Sequence, residues 1–580
     1  MGRDWHIRTL TPEQQQQAYQ LQQAGKLLPV IARILAYRGV QTIPQMNSFL
    51  TPKLQNLHDP FLMQDMDTAI KRLNKAIGHK EKILVYGDYD VDGTTAVTLV
   101  YKYLRRITTN ISYYIPDRYD EGVGVSFKGI DYAHQQGCTL IITLDCGIKA
   151  CDKVEYAKQL GIDFIICDHH MPGPELPQAV AILNPKLPGN PYPFDELSGC
   201  GVGFKLMHAF AISNGTDMCA LYDLLDLVAV SIAADVMPLQ DENRILAYHG
   251  LRNLNHNPAV GLKGIIEVSG IKTKELDLSD IVFKIGPRIN ASGRMQSGRE
   301  SVELLLARDA QEAKEMSHLL DEYNNMRREL DREITREANN IVESYTDIED
   351  RKVIVVYDPT WHKGVIGIVA SRLTEKYNRP AIVLSDASEQ IVSGSVRSIE
   401  GFDMYALIES CKDLLENFGG HPCAVGLTLR KEKLHGFIKA VSARADEMVT
   451  SAVLQPRYEV DSEIAFSDIT PMLRRQIRKL SPFGPANEKP LFLTRGVVSL
   501  TPPRVMGRKK THLKMLLSMP DQSPFFQAFA YNFSEYYPYI SKGLPFDILY
   551  TIEEMSRRGQ KMVQLVIVDI HLPEPTPSEP

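Results

Sequence analysis

The sequence predicts a multidomain α/β protein whose first large domain is a doubly wound parallel sheet. At 580 residues, the chain is too long for one hydrophobic core, because single domains usually contain about 100–200 residues. Between Lys82 and Leu183, short runs rich in β-branched residues alternate with amphipathic segments; the runs are KILVY, ISYYI, TLIIT, DFIIC and VAIL. This alternation is typical of βαβ units. The runs have no polar face, which suits parallel strands covered by helices on both sides.

The composition, with 44% hydrophobic and 23% charged residues, argues against both global disorder and a membrane protein. No run of about 18 uncharged apolar residues occurs, so we expect no membrane span. The first residues, MGRDWHIRTL, lack the apolar stretch of a secretory signal, and the eight cysteines include no C-x-x-C pair. We therefore expect a cytoplasmic protein with reduced thiols. The formal net charge of −6 does not by itself indicate a nucleic-acid partner, so local charge must decide.

Helical patterns flank the predicted sheet domain, which we place at residues 76–297. Residues 1–75 are polar and helical in pattern, and we expect an N-terminal extension packed on the sheet domain. From 298 to 350, apolar residues recur at the spacing of a helix stripe. This segment is predicted to be a long connecting helix.

Two further domains are predicted in the second half of the chain. Residues 351–455 contain KVIVVY, GVIGIVASRL and AIVLS, which indicate a second, smaller α/β domain. Residues 456–572 contain strand-like runs separated by turn residues, a pattern typical of a compact β-barrel. The terminal residues 573–580 predict a disordered tail.

Acidic residues and histidines follow three strands of the predicted sheet. ILVY runs into GDYDVDG, LIITL into DCG and FIIC into DHH, while the apolar segment LLDLVAVSIAAD ends in a fourth candidate. Because ligands bind beyond the carboxyl ends of the strands in open α/β sheets, we expect these segments to meet in one crevice. The candidates are Asp88, Asp90, Asp92, Asp145, Asp168, His169, His170 and Asp235.

Carboxylates gathered in this way repel one another unless cations neutralise them. Oxygen ligands beside neutral imidazole nitrogens suit two divalent ions, which at about 3.5–4 Å apart activate water and stabilise a phosphoryl group under attack.

Two alternative interpretations of these motifs are weaker. DYDVDG also opens like an EF-hand calcium loop, but the twelfth position, where a glutamate is needed, is Leu99. A single Asp at a strand end is usually a helix cap, yet four such segments on one sheet favour a site.

GDYDVDG, TLDCG, CDHH and ADVMPL, in this order, resemble the motifs of the DHH phosphoesterase superfamily. IGPRINASGRM, GVIGIVASRL, SGSVRS and FGGHPCAVG resemble more narrowly its RecJ-like family of exonucleases. The resemblance implies metal ligation of two Mn or Mg ions by Asp90, Asp92, Asp145, His169 and Asp235, with Asp145 bridging. It implies that Asp88, Asp168 and His170 complete the catalytic site. Ser231 departs from the family pattern, which usually has a Gly-Thr pair before Ala-Asp.

The same resemblance implies a single-stranded-DNA exonuclease that works 5′→3′ and releases mononucleotides in recombination and repair. Single-strand-binding protein and a helicase are the implied partners. Donor side chains in the later motifs suit phosphate oxygens, and we expect them to line a cleft. They are Arg288, Asn290, Arg294, Ser371, Arg372, Ser395, Arg397 and His421.

The predicted C-terminal barrel carries basic residues with aromatic residues between them. The basic groups are Arg474, Arg475, Arg478 and Lys479, then Arg504, Arg508, Lys509, Lys510, His512 and Lys514, then Arg557, Arg558 and Lys561; the aromatics are Phe525, Phe526, Phe529, Tyr531 and Phe533. A basic groove with stacking surfaces is how OB-type folds hold single strands, although many aromatics must belong to the core. We therefore expect an OB-like domain that captures the strand.

Three other functions stay open on the sequence. A DHH phosphodiesterase could act on short oligonucleotides or cyclic dinucleotides, although such relatives generally lack the long helix and the β-domain. A catalytically inactive DHH scaffold would have lost metal ligands, whereas the set here is complete. A plain single-strand-binding protein would bind DNA without degrading it.

Overall fold

The computed structural model describes residues 4–271, 275–345, 348, 350–520, 524–557 and 560–573, without the side chains of 555–561. The predicted disordered tail therefore lies almost wholly outside the described residues, as do the side chains of Arg557, Arg558 and Lys561. The chain divides into two compact units. The terminal unit comprises Met1–Leu57, Pro238–Tyr248 and Arg457–Pro580, and the central unit comprises His58–Met237 and His249–Pro456.

The strands are numbered in chain order. They are β1 (Asp4–Ile7), β2 (Lys82–Gly87), β3 (Ile111–Tyr114), β4 (Cys138–Leu144), β5 (Asp163–Cys167), β6 (Ala181–Leu183), β7 (Ile354–Tyr357), β8 (Ala381–Asp386), β9 (Ile391–Arg397), β10 (Asn417–His421), β11 (Ala424–Arg430), β12 (Arg457–Val460), β13 (Ser462–Glu463), β14 (Phe492–Ser499), β15 (Arg504–Met506), β16 (His512–Ser518), β17 (Phe526–Ala530), β18 (Phe546–Arg557) and β19 (Gln560–His571).

The helices are numbered in the same way. They are α1 (Pro12–Gly25), α2 (Pro29–Tyr37), α3 (Ile43–Leu50), α4 (Met66–Gly78), α5 (Val91–Arg105), α6 (Phe127–Gln135), α7 (Cys151–Gln159), α8 (Gly199–Asn214), α9 (Cys219–Tyr222), α10 (Leu225–Ala234), α11 (Asp241–His256), α12 (Val260–Val268), α13 (Leu278–Asp280), α14 (Gly286–Met295), α15 (Arg299–Leu305), α16 (Ala310–Glu343), α17 (Ile366–Tyr377), α18 (Met404–Glu409), α19 (Leu434–Met448), α20 (Pro471–Lys479) and α21 (Tyr537–Ile540). A π-helical turn, Ile281–Ile285, joins α13 to α14.

The first sheet of the central unit confirms the predicted doubly wound α/β fold. Its five strands lie in the order β3-β2-β4-β5-β6, and all pairs are parallel. Helices α6 and α7 bury Ile130, Ala133, Val154 and Ala157 against one face. Alternate residues of the strands point to the opposite face, where α8 packs so closely on β4 that a Cβ atom at Gly203 would lie 3.0 Å from the side chain of Leu144. The carboxyl ends of all five strands therefore share one edge.

The second sheet of the central unit is mixed, in the order β10-β11-β9-β8-β7, with only β7 and β8 parallel. Helix α19 covers one face through Phe437 and Val441, and α17 covers the other. The predicted connecting helix is interrupted: α15 ends at Leu305, and the 34-residue α16 begins after Asp309, whose side chain caps it. A capping aspartate interrupts the apolar stripe that we read as one helix.

The terminal unit contains the predicted β-barrel. Its sheet has the order β13-β14-β18-β19-β17-β16-β15, and an additional β14–β16 pairing closes five of these strands into a barrel. Residues 4–57 correct our expectation of an extension on the sheet domain. Strand β1 pairs with β12, and Leu21 and Ile31 belong to the same buried cluster as Phe492 of the barrel. An amphipathic pattern shows that a helix buries one face but not which apolar surface covers it.

Among the described residues, no helix is both long and apolar enough to cross a membrane.

Candidate active site

The candidate site lies at the shared carboxyl edge of the first sheet. Strand β2 leads through Asp88 into α5, where the side chain of Asp90 caps the helix by accepting from the backbone N–H of Gly93 at 3.0 Å. Strand β4 leads into Asp145, whose backbone has φ of 59°. Strand β5 leads into Asp168, His169 and His170. The structure thus brings together the segments that the sequence placed in one crevice.

His169 lies at the centre of the cluster. Its Nε2 atom is 3.1 Å from Asp145 Oδ1, 3.6 Å from Asp235 Oδ2 and 3.7 Å from Asp92 Oδ2. His170 Nδ1 lies 3.9 Å from Asp145 Oδ1. Two groups of possible ligand atoms result, Asp92–His169–Asp235 and Asp145–His169–His170, each with all its atoms within 4.8 Å of one another.

Backbone and hydroxyl donors hold the carboxylate of Asp92. The N-terminus of α8 donates to it through the N–H groups of Gly199 and Cys200, both at 2.7 Å. The Oγ atom of Ser231 donates to Oδ1 of Asp92, also at 2.7 Å. The residue that departs from the family pattern therefore touches a candidate ligand directly. These three donors fix Asp92 in an orientation that faces His169.

Asp168 has a different environment from the other carboxylates. It accepts from the backbone N–H of Ile148 at 3.0 Å and from Nδ1 of His170 at 2.7 Å. Burial acts to raise the pKa of Asp168, but these hydrogen bonds and the charge of His170 hold the pKa well below its usual range. Burial conversely acts to lower the pKa of His170, yet the bond to Asp168 raises it to about 9. Asp168 thus orients His170 as an ion-pair partner.

The remaining carboxylates are buried close together, and their negative charges raise one another's pKa. Burial, and then the charge of Asp90, raise the pKa of Asp88 to about 7. Burial, and then the charges of Asp92 and Asp90, raise the pKa of Asp235 to about 8. The pKa of Asp145 is raised well above its usual range by burial and by Asp92. The charge of His170 offsets these shifts only in part, so further positive charge is needed for all of these carboxylates to be ionised at neutral pH.

The residues present fit divalent cations. Asp145 Oδ1 and His169 Nδ1 are buried and have no hydrogen-bond partner among the described residues, despite the short approach of His169 Nε2 to Asp145 Oδ1. Buried polar atoms in folded proteins are nearly always satisfied, so an unsatisfied carboxylate oxygen indicates a missing partner. A set of carboxylate oxygens with one or two imidazole nitrogens suits Mn²⁺ and Mg²⁺.

A cavity of about 710 Å³ opens beside this cluster within the central unit. Asp88, Asp145, Asp168 and His170 line one side of it. Strands β9, β10 and β11 and the segment 363–367 line the other side. The cavity is large enough for a nucleotide-sized ligand in contact with the carboxylates.

Half of the predicted substrate contacts line the cavity, namely Arg294, Ser395, Arg397 and His421. The ring of His421 lies 5.9 Å from the ring of His170. Sequence reasoning missed Arg118, Lys149, Lys363, Asn417 and Thr428, which also line it. Arg118 follows β3 in the segment PDRYDEGVG, so its place after a strand of the same sheet was an available signal.

The other four predicted contacts do not line this cavity. Arg288 donates to Asp321 at 2.8 Å, and Arg372 makes two hydrogen bonds of 2.7 Å to Asp331. Ser371 donates to the carbonyl of Gly367 at 3.2 Å. Asn290 accepts the backbone N–H of Val91, the first residue of α5. A donor side chain in a motif binds whichever acceptor the fold brings closest, and for the first three residues the acceptor is internal.

Three arginines face the cavity without a carboxylate partner in the described parts of the chain. Arg118 lies over the Tyr89 ring at 5.1 Å, and Arg294 donates to the carbonyl of Gly364 at 2.9 Å. Burial, and then the charges of Arg118 and Arg327, lower the pKa of Arg294 to about 10. Burial and the charge of Arg118 also lower the pKa of Arg397. Crowded cations without an acid between them favour an anionic ligand such as a phosphate.

The chain matches three family descriptions along most of its length. Residues 82–232 match the DHH family, N-terminal domain; residues 350–447 match the DHHA1 domain; and residues 460–569 match the RecJ OB domain. Single-stranded-DNA-specific exonuclease RecJ of Bacillus subtilis (strain 168) is 38% identical over 549 residues, which are 94% of this chain and 68% of that protein. The protein of the same name from Escherichia coli (strain K12) is 32% identical over 563 residues, with coverage of 94% and 96%.

Solved structures agree with these matches. RecJ from Thermus thermophilus in complex with Mn²⁺ superimposes with a TM-score of 0.83 and 26% identity over 99% of this chain and 80% of that one. An exonuclease RecJ bound to manganese gives a TM-score of 0.57 and 31% identity over 66% of this chain and 94% of that one.

Proposed function

Because the chain belongs to the RecJ family of single-stranded-DNA-specific exonucleases, we propose that it hydrolyses terminal phosphodiester bonds of single-stranded DNA, 5′→3′, to mononucleotides. The observation that supports this proposal most strongly is that two kinds of residues line one cavity. Carboxylates and a histidine that fit divalent ions line the cavity together with arginines that have no ion-pair partner among the described residues. A strand end with a terminal and a scissile phosphate matches both sets of residues.

We propose that Asp90, Asp92, Asp145, His169 and Asp235 hold two divalent ions, manganese or magnesium. Bound there, such ions lower the pKa of water and neutralise charge on the phosphoryl oxygens. Asp168 engages Nδ1 of His170, which leaves Nε2 as the nitrogen available to the cavity. His170 is thereby oriented to donate to a scissile phosphate. Asp88 also lines the cavity and contributes negative charge beside Asp90.

Three arginines in the cavity support the proposal that degradation starts at the 5′ end. Arg118, Arg294 and Arg397 line the same cavity as the carboxylates, with Ser395 beside Arg397 on strand β9. A terminal phosphate carries more negative charge than an internal one and therefore gains more from three adjacent guanidinium groups. We propose that they bind the 5′-phosphate while the next phosphodiester lies at the metal side. Only the 5′-terminal nucleotide would then be released.

We propose that the barrel of the terminal unit binds the incoming strand. Arg504, Arg508 and Lys510 are exposed around β15 and β16, and the Lys514 ammonium lies over the Phe529 ring at 5.4 Å. Phe525 and Tyr531 are 63% and 51% exposed, whereas Phe526 and Phe533 pack against the core. A basic surface with exposed aromatic rings suits single-stranded DNA.

We further propose the domain assignment: catalysis in residues 76–297, a connecting helical segment at 298–350, substrate contact in 351–455 and strand capture in 456–572. The proposed location is the cytoplasm, supported by eight free cysteines and a DNA substrate. Single-strand-binding protein and a helicase are proposed partners in recombination and repair on the strength of family membership, and co-purification on immobilised DNA tests them.

The first experiment is a time course on single- and double-stranded DNA labelled separately at the 5′ and 3′ ends, with Mn²⁺ or with EDTA. We expect metal-dependent release of mononucleotide from the 5′ end of single strands, lost in Asp145→Ala. Asp217→Ala, which changes an aspartate outside the cavity, is the control. Binding without degradation would leave an inactive scaffold, and turnover of dinucleotides only would indicate a phosphodiesterase of short substrates.

A further inference from the structure

Helix α14 lies against the start of α5, where two of the proposed metal ligands, Asp90 and Asp92, stand. The Oδ1 atom of Asn290 accepts a hydrogen bond from the backbone N–H of Val91 at 3.0 Å. Val91 stands between Asp90 and Asp92 and is the first residue of α5. The N–H groups of a helix's first turn have no partner within the helix, so this one depends on an outside acceptor. Asn290 is that acceptor.

Two glycines allow the approach. Gly293 lies one turn after Asn290 on the same face of α14, and a Cβ atom there would come within 2.9 Å of the Tyr89 carbonyl oxygen. A Cβ atom at Gly298 would lie 2.8 Å from the Cβ atom of Tyr89. Carbon atoms pack best at about 3.5–4.0 Å, so a side chain at Gly293 would push α14 away from Tyr89, and a side chain at Gly298 would push the start of α15 away from it. Both glycines therefore allow close packing on Tyr89.

The far end of α14 is anchored as well. The carbonyl of Arg294 accepts from the hydroxyl of Tyr119, and the Arg294 side chain donates to Gly364 at 2.9 Å. The helix thus spans from the metal-side loop to the segment that lines the opposite side of the cavity. Its position is set independently of Asn290, which makes it a fixed support for the loop.

We propose that Asn290 is a positioning residue for the metal site: its Oδ1 atom fixes the backbone between Asp90 and Asp92 and thereby the positions of both carboxylates. This inference rests on the proposed function, because it assigns Asn290 a part in building that metal site. It also replaces the DNA contact that the sequence predicted for this residue. The ligand whose binding depends on Asn290 is a divalent cation, not the strand.

The test is Mn²⁺ binding to the full-length protein without DNA, measured by isothermal titration. Asn290→Leu keeps the size of the side chain and removes the acceptor, and we expect the midpoint of binding to rise roughly 2- to 10-fold, as for one lost hydrogen bond. Asn290→Asp keeps an acceptor and adds charge that favours a cation, so the midpoint should not rise. Asn255→Leu is the matched control, because Asn255 also accepts a backbone N–H at 2.7 Å, but the donor is Leu276, which is not adjacent in the chain to a proposed metal ligand.

Kinetics separate this role from a substrate contact. At saturating Mn²⁺, Asn290→Leu should leave the KM for a single-stranded oligonucleotide unchanged. An unchanged Mn²⁺ midpoint with a raised KM would overturn the proposal and restore the DNA contact. An Asn290→Asp variant as defective in Mn²⁺ binding as Asn290→Leu would overturn it as well. If thermal melting shows Asn290→Leu unfolded, Asn290→Ala takes its place with the same expectations. If the unaltered protein had no exonuclease activity, the proposed function would be refuted. The effect of Asn290 on Mn²⁺ binding would still stand.

Discussion

Replacement of Arg118 by glutamine should remove much of the preference for a 5′-phosphorylated strand. Arg118 faces the cavity with Arg294 and Arg397 and has no carboxylate partner among the described residues. A hydrogen bond to a charged group contributes about 1.5–3 kcal/mol, which corresponds to roughly 10- to 150-fold in kcat/KM. The variant loses the contact with the Tyr89 ring, worth about 0.5–1 kcal/mol, but also loses repulsion from Arg294, so we expect it to fold.

The assay compares kcat/KM for 3′-labelled oligonucleotides that carry a 5′-phosphate or a 5′-hydroxyl. The unaltered protein should prefer the phosphorylated strand, and the variant should lose activity mainly on that strand. Arg372→Gln is the control, because Arg372 binds Asp331 outside the cavity. An equal loss on both strands would show that Arg118 does not bind the terminal phosphate, and the argument for polarity from this cavity would then fail.

Three further predictions concern the supports of the site and the fold. Ser231→Ala should raise the Mn²⁺ midpoint roughly 2- to 10-fold in calorimetric titration, since it removes one of three donors to Asp92. Arg244→Met should lower the free energy of unfolding in urea by more than about 2 kcal/mol, because buried carbonyls that Arg244 now satisfies would each lose a donor at about 1–3 kcal/mol. Deletion of residues 1–57 should lower the Tm, because it uncovers the apolar cluster that includes Phe492. An unchanged Mn²⁺ midpoint in Ser231→Ala would contradict the first expectation. An unchanged unfolding curve in Arg244→Met would contradict the second, and an unchanged Tm after the deletion would contradict the third.

Much of the carboxylate cluster could be predicted from the sequence because Asp88, Asp145 and Asp168 each follow a strand of one parallel sheet, whereas Asp235 follows helix α10. Strand type and direction fix where such residues meet, so Asp88, Asp145 and Asp168 needed no tertiary information beyond the βαβ pattern. The partners that tune each acid could not be predicted in this way. Whether a carboxylate gains donors, as Asp168 does, or loses solvent among other acids, as Asp145 does, depends on contacts across the fold.

The arginines show where sequence reasoning was insufficient. Arg288 and Arg372 stand in motifs with glycine and serine neighbours, as Arg294 and Arg397 do, yet the first two are paired with aspartates of α16. Only the structure shows that Asp321 and Asp331 face them, because residues on one helix reach different neighbours according to its rotation and placement. Motif membership alone did not separate internal ion pairs from cations that face a ligand.

The charge of the whole chain and the charge of the site point in opposite directions. A net charge of −6 does not attract DNA, and the metal-side acids repel it further. Two divalent cations would neutralise the four carboxylates proposed to hold them, and the unpaired arginines are positive already. A DNA end therefore meets the repulsion of these four acids only before metal binding. Metal binding would then control both the chemistry and the entry of the substrate, because the same carboxylates that hold the ions otherwise exclude the phosphate.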